Sequence, residues 1–207
     1  NGGGGGQHAH GGGGGGGHAE AGEDGAKETP ASGGSSVGSP GMERLFFGGA
    51  GGTGGDNDSN TATNPNGGFG GGIVLLTAHQ LINQGTISSH GTDAAANTAQ
   101  DGGAGGGAGG SILLSAITLD NQGTIAASGG IGFTPPDPTG GKGGNGSAGR
   151  IRLDYGTLSD TGTVAPAAFA GTFSNITHTP LEDTPDGTGP YTVAAAIWDT
   201  QQDAITS

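Results

Sequence analysis

The chain has 207 residues, of which 53 are glycine and none cysteine, and a formal net charge of −13. So acidic a balance argues against binding to a nucleic-acid backbone, which needs a basic stripe, and a chain without cysteine has no disulfide framework. Apolar residues make up only 29% and aromatics 4%, which excludes a large conventional core and leaves backbone hydrogen bonding to carry an unusual share of the stability.

Glycine and proline in these amounts ordinarily signal disorder. Here charged residues are only 11% of the chain, and the apolar ones are gathered into short alternating runs. No run of 18 apolar residues occurs, so no membrane-spanning helix is expected. The chain opens on Asn1 without a charged and apolar leader, which fits a mature, secreted form from which a signal peptide has been removed.

Residues 1–47 form the first predicted segment, a glycine-rich tract ending in an apolar anchor, Met42, Leu45, Phe46 and Phe47. Two readings of the tract are open. One is an unstructured chain. The other is polyglycine II, an extended threefold helix whose open N–H and C=O groups are satisfied only by neighbouring helices, at an approach that only glycine permits. His8 and His10, with His18 downstream, are candidate ligands for a divalent metal ion, because imidazole suits zinc, copper or nickel. Polar punctuation of the tract is the plainer account, because no cysteine accompanies them and their spacing fits no standard zinc module.

Beyond Gly48 the tract continues with Ala50, Thr53 and Asp56 spaced three apart, and the same spacing returns at Thr139, Lys142, Asn145 and Ala148. A period of three matches the turn of a polyglycine II helix. The tract at 102–110 departs from it, since Ala104 and Ala108 are four apart. Asp56, Asp58 and Asn60 repeat oxygen ligands at alternate positions, as calcium loops do, and are a candidate calcium site. A solvated loop is the plainer account, because the later Glu and the glycine of an EF-hand are missing.

Residues 48–166 are organised by a unit that occurs three times, starting at Gly72, Gly110 and Gly149, at intervals of 38 and 39 residues. Each copy predicts a strand, a turn and a second strand. Val74, Leu76 and Ala78 align with Ile112, Leu114 and Ala116 and with Ile151, Leu153 and Tyr155, marking one face. The other face carries Leu75 and Thr77, Leu113 and Ser115, then Arg152 and Asp154, and so meets water. The second strand carries Leu81 and Ile87, Leu119 and Ile125, Leu158 and Val164. A fixed period of this length predicts coils that stack with like residues in columns, the logic of a parallel β-solenoid of about three repeats with little or no α-helix. Asn83 and Asn121 open matching Asn-Gln-Gly-Thr turns and predict an asparagine ladder up the stack. Residues 90–101 and 130–139 are predicted to leave the stack as loops.

The third segment, 167–207, begins with a predicted strand over 167–177, followed by an acidic Pro/Gly connector. Tyr191, Val193, Ile197 and Trp198 then lie on a terminal strand that either folds back over the stack or pairs with the sheet edge of a second molecule, the exchanged form being preferred.

No residue set points to catalysis. His79, His90 and His178 have no neighbouring nucleophile motif, and Asp154 and Asp160 read as a solvated face rather than the paired carboxylates of a glycosidase. Asn57, Asn145 and Asn175 open N-glycosylation triplets.

The repeat, Gly110-Ser111-Ile112-Leu113-Leu114 through Asn121-Gln122-Gly123-Thr124-Ile125 and on to Gly149-Arg150-Ile151-Arg152-Leu153, resembles the glycine-rich repeats of large secreted microbial surface proteins. The glycine tracts also resemble the polyglycine sandwiches of phage tail-tip adhesins and glycine-rich antifreeze proteins. The first resemblance implies an extracellular structural or adhesive role without a cofactor. The sequence-based expectation is therefore a non-enzymatic, secreted subunit that joins copies of itself head to tail into a filament or sheath. The alternative is an adhesive or ligand-binding module, for a glycan or other surface ligand, acting as a monomer or small oligomer. Ice binding is disfavoured, since Thr77 gives way to Ser115 and Asp154 and no regular threonine array results.

Overall fold

The alternating aliphatic runs become strands and the glycine tracts become extended segments between them. In the computed structural model, which describes residues 1–27, 29, 31–56, 66–96 and 101–173, the described residues contain strands and no helix. The strands are β1 (Ile73–Asn83), β2 (Thr86–Ser88), β3 (Ser111–Asn121), β4 (Thr124–Ala126), β5 (Arg150–Asp160), β6 (Thr163–Ala165) and β7 (Phe169–Thr172). They form two all-parallel sheets, one ordered β1-β3-β5-β7 and the other β2-β4-β6. The fold is all-β.

Pairing follows the intervals read from the sequence. Leu76 lies opposite Leu114 and Leu114 opposite Leu153; Ile87, Ile125 and Val164 align likewise in the second sheet. The core between the sheets is thin: Ile112, Leu114, Ala116, Leu119, Ile125, Ala127, Ile151 and Leu153, flanked by partly buried Val74, Leu81, Ile87, Tyr155, Leu158 and Val164.

Two details differ from the sequence reading. The first strand is eleven residues long and takes in Leu81, leaving a second strand of only three residues. Inward positions run Ile112, Leu114, Ala116 and then Leu119, so the alternation shifts by one residue at Ile117. There the ladder lacks a pair both to His79 and to Gly156. His79 thus sits inside β1, at the step, rather than at the end of a strand. Secondly, Arg152 and Asp154 do not simply face water. They form an ion pair at 2.7 Å, with side chains only 25% and 14% exposed. Arg152 also donates to the carbonyl of Gly41, and its guanidinium lies 5.7 Å from the centroid of Phe169. Arg150 donates to the carbonyls of Ala19 and Val37. A guanidinium presents five donors in a fixed fork, so these two arginines tie the chain around residues 19–41 to β5.

The glycine tracts bond to one another. Residues 12 to 17 donate in turn to the carbonyls of Ala26, Gly103, Gly4, Glu23, Gly106 and Asn1, all at 2.8–2.9 Å. The carbonyls of residues 11 to 17 accept in turn from Gly55, Ala31, Gly144, Gly52, Gly34, Ser147 and Gly49. Each direction recurs every third residue, giving three donor and three acceptor neighbours around one tract. The tract at 102–110 is surrounded in the same way: its N–H groups reach the segments at 49–55, 141–147 and 89–92, and its carbonyls accept from residues 13–16, 130–133 and 68–71. Its alanines do not break this three-residue rhythm, although their spacing of four predicts that they should; Ala104 and Ala108 are both fully buried. Side chains would obstruct such packing: a Cβ added at Gly16 falls on the carbonyl oxygen of Gly49, and one at Gly14 on that of Ser32. The N-terminal tract therefore occupies the middle of the bonded array. Residues Asn1–Phe173 make one compact unit; residues 174–207 lie outside the described residues.

Candidate functional site

The parallel pairing places polar residues at the strand ends in a row. Asn83 donates from Nδ2 to Oδ1 of Asn121 at 2.7 Å, and Asn121 donates from Nδ2 to Oδ1 of Asp160 at 2.9 Å. The Nδ2 of Asn83 also reaches the carbonyl of Thr124, while its Oδ1 accepts the N–H of Gly85 and closes the turn. Asn83 and Asn121 are buried, so each bond spares a desolvated amide. Asp160 has no side-chain amide to pass the bond on, and the row stops there. Gln84 repeats the direction one residue on, donating to Gln122.

The ends of the larger sheet differ from its middle. Leu76 is 41% exposed, whereas its ladder partners Leu114 and Leu153 are 0% and 4% exposed. Ile73, Leu75 and Ile82 are also exposed on β1. The column is thus closed within the sheet and open at the β1 edge. At the opposite edge β7 covers residues Arg152–Tyr155 of β5 and leaves Phe169 42% exposed. Phe47 and Phe69 protrude further, at 67% and 73%.

His18 is the residue whose role the sequence hid. It is fully buried where the glycine tracts meet β3. Its Nδ1 lies 2.8 Å from the carbonyl of Gly109, its backbone N–H donates to Ser147 Oγ, and Nε2 is 3.4 Å from Ser111 Oγ. Ser111 in turn bonds the backbone of Phe46 in both directions. Burial pushes the pKa of His18 below its ordinary value, the hydrogen bond to Gly109 opposes this, and the charge of Arg150 adds to the lowering. Embedded in a glycine tract, this histidine has no local pattern to mark it as interior.

His8 and His10 form the turn between two tracts: the carbonyl of His8 accepts the N–H of Gly11, and that of His10 the N–H of Gly141. His8 adopts a positive φ of 68°. Asp56 ends the tract at 48–55, while Asp58 and Asn60 lie outside the described residues, as do Tyr191, Val193, Ile197 and Trp198. Among the described residues no group of three or more His, Cys, Asp or Glu side chains is placed to hold a metal ion. Asn145 is half-buried, with Oδ1 accepting the N–H of Gly132; Asn57 and Asn175 lie outside the described residues. No helix among the described residues is long and apolar enough to cross a membrane.

Comparison with models of protein families, with curated proteins and with solved structures finds no match.

Proposed function

We propose that this chain is a short parallel β-solenoid whose coils run through a polyglycine II bundle, and that it serves as an extracellular structural protein, a subunit joined head to tail into a filament or sheath. The solenoid reading is supported by ladder partners 38 or 39 residues apart in both sheets. Support for polyglycine II comes from the three-residue recurrence of bond directions around residues 11–17 and 102–110. The observation that carries the functional reading is Leu76: a core column closed at Leu114 and Leu153 is open at the end of the stack. Stacked architectures that act alone need a polar capping layer at each terminus. An apolar end instead favours addition of a like unit, and a heterologous contact of that kind propagates unless it closes into a ring. On this reading the partner is another copy of the chain, and neither catalysis nor a cofactor is invoked.

Electron microscopy and sedimentation of the purified chain across a concentration series test this. Filaments, or a mass that grows with concentration, are expected; a monomer throughout the range contradicts the proposal. A monomer would return the balance to an adhesive module, a reading that draws on the exposed Phe47 and Phe69.

A further inference from the structure

The ladders indicate which surfaces meet, if the head-to-tail reading holds, on which this inference rests. We infer that the β1 edge of one copy receives the β7 edge of a second copy as a parallel pair, with Leu75 of the first opposite Phe169 of the second.

Direction comes first. All four strands of the larger sheet run the same way, with β1 and β7 at its edges. Moving a second copy along the stack brings its β7 onto β1 in the same parallel sense. Pairing β1 with β1 about a twofold axis would instead place an antiparallel step in a sheet that has none.

Register comes next. The rows across the sheet read Leu75–Leu113–Arg152–Phe169, Leu76–Leu114–Leu153–Ala170 and Thr77–Ser115–Asp154–Gly171. A β1 strand set beyond β7 continues each row, with Leu75 beside Phe169, Leu76 beside the small Ala170 and Thr77 beside Gly171. The half-exposed Leu76 thereby gains a cover and offers its bulk where β7 has only a methyl group.

Charge comes third. In a chain of net charge −13, residues 66–92 contain no Asp, Glu, Lys or Arg, and neither do residues 161–173. The edge strands β1 and β7 themselves are thus free of formal charge, so copies pair along them without bringing like charges together. The charged pair nearest the joint, Arg152 and Asp154, is already joined at 2.7 Å. Neither edge strand carries the lysine or proline that ordinarily blunts an open edge.

Because the chain has no cysteine, the joint is testable by directed cross-linking. Full-length Leu75→Cys and Phe169→Cys variants are prepared separately, mixed, and treated with a short bis-maleimide. Cross-linked pairs are expected in the mixture and not with either variant alone. Leu75→Lys, on a side chain 57% exposed, is expected to raise the concentration needed for assembly at least tenfold, with circular dichroism and Tm unchanged. Cross-linking of Leu75→Cys to itself overturns the inference in favour of a twofold contact. Filaments that form without cross-links in the mixture overturn the joint but leave the filament reading standing. A wild-type chain that stays monomeric at every concentration defeats both.

Discussion

Asn83 and Asn121, 38 residues apart, share a buried 2.7 Å side-chain hydrogen bond between paired strands. Asn121 is the middle member of the row, donating onward to Asp160. Asn121→Ala leaves the buried amide of Asn83 short of one acceptor and is expected to cost about 1–3 kcal/mol in denaturant unfolding. Asn121→Asp keeps the shape but sets a second carboxylate against Asp160. Its cost is expected to be large at neutral pH and to shrink as the pH falls through the carboxylate range, where one of the two acids takes up a proton. Equal loss at both pH values would show that the donor role of Asn121 is not what holds the row.

Glycines that look alike in the sequence are predicted to differ sharply when substituted. At Gly16 a Cβ falls on the carbonyl of Gly49, whereas at Gly72 and Gly85 it meets nothing within 4 Å. Gly16→Ala is expected to destabilise by about 2–3 kcal/mol or more, as overpacking does. Gly72→Ala should be neutral or stabilising by up to about 1 kcal/mol through the unfolded state. Thermal unfolding of the two variants measures the contrast, and similar midpoints would count against the packed arrangement of tracts.

His18 makes stability depend on pH in a defined direction. Its folded-state pKa lies below the ordinary 6.5, through burial first and the charge of Arg150 in addition. Between the folded and unfolded values the unfolded chain binds more protons, so the contribution of neutral His18 is complete above pH 6.5 and is lost as the pH falls below it. The slope reaches at most about 1.4 kcal/mol per pH unit. His18→Asn retains an amide donor for the carbonyl of Gly109 and should flatten the profile between pH 7 and pH 5. An unaltered slope in that variant would assign the dependence to another group.

The strands were legible because their side chains carry the pattern. Leu76, Leu114 and Leu153 recur at intervals of 38 and 39 residues, and their parity tells inside from outside. The step at His79, Ile117 and Gly156 was hidden, since a one-residue shift in alternation leaves all three copies equally aligned. Contacts between glycine tracts were illegible for a physical reason: every glycine offers the same N–H and C=O, so nothing in residues 11–17 names the six neighbours they find. The same gap concealed His18 and the hold of Arg150 and Arg152 on residues 19–41, because each acts on a backbone carbonyl, and a carbonyl has no residue identity. The candidate site divides along this line. Asn83 and Asn121 were visible as paired turn residues, whereas the opening of the column at Leu76 is a property of strand order.

The most direct measurement of the central claim is native-state amide exchange at residues 12–17. Their N–H groups donate to six carbonyls from three other segments, and residues 11–18 are buried. Slow exchange, with protection matching that of the β3 amides, is the predicted result. Exchange at the rate of an open chain, while β3 stays protected, would contradict it.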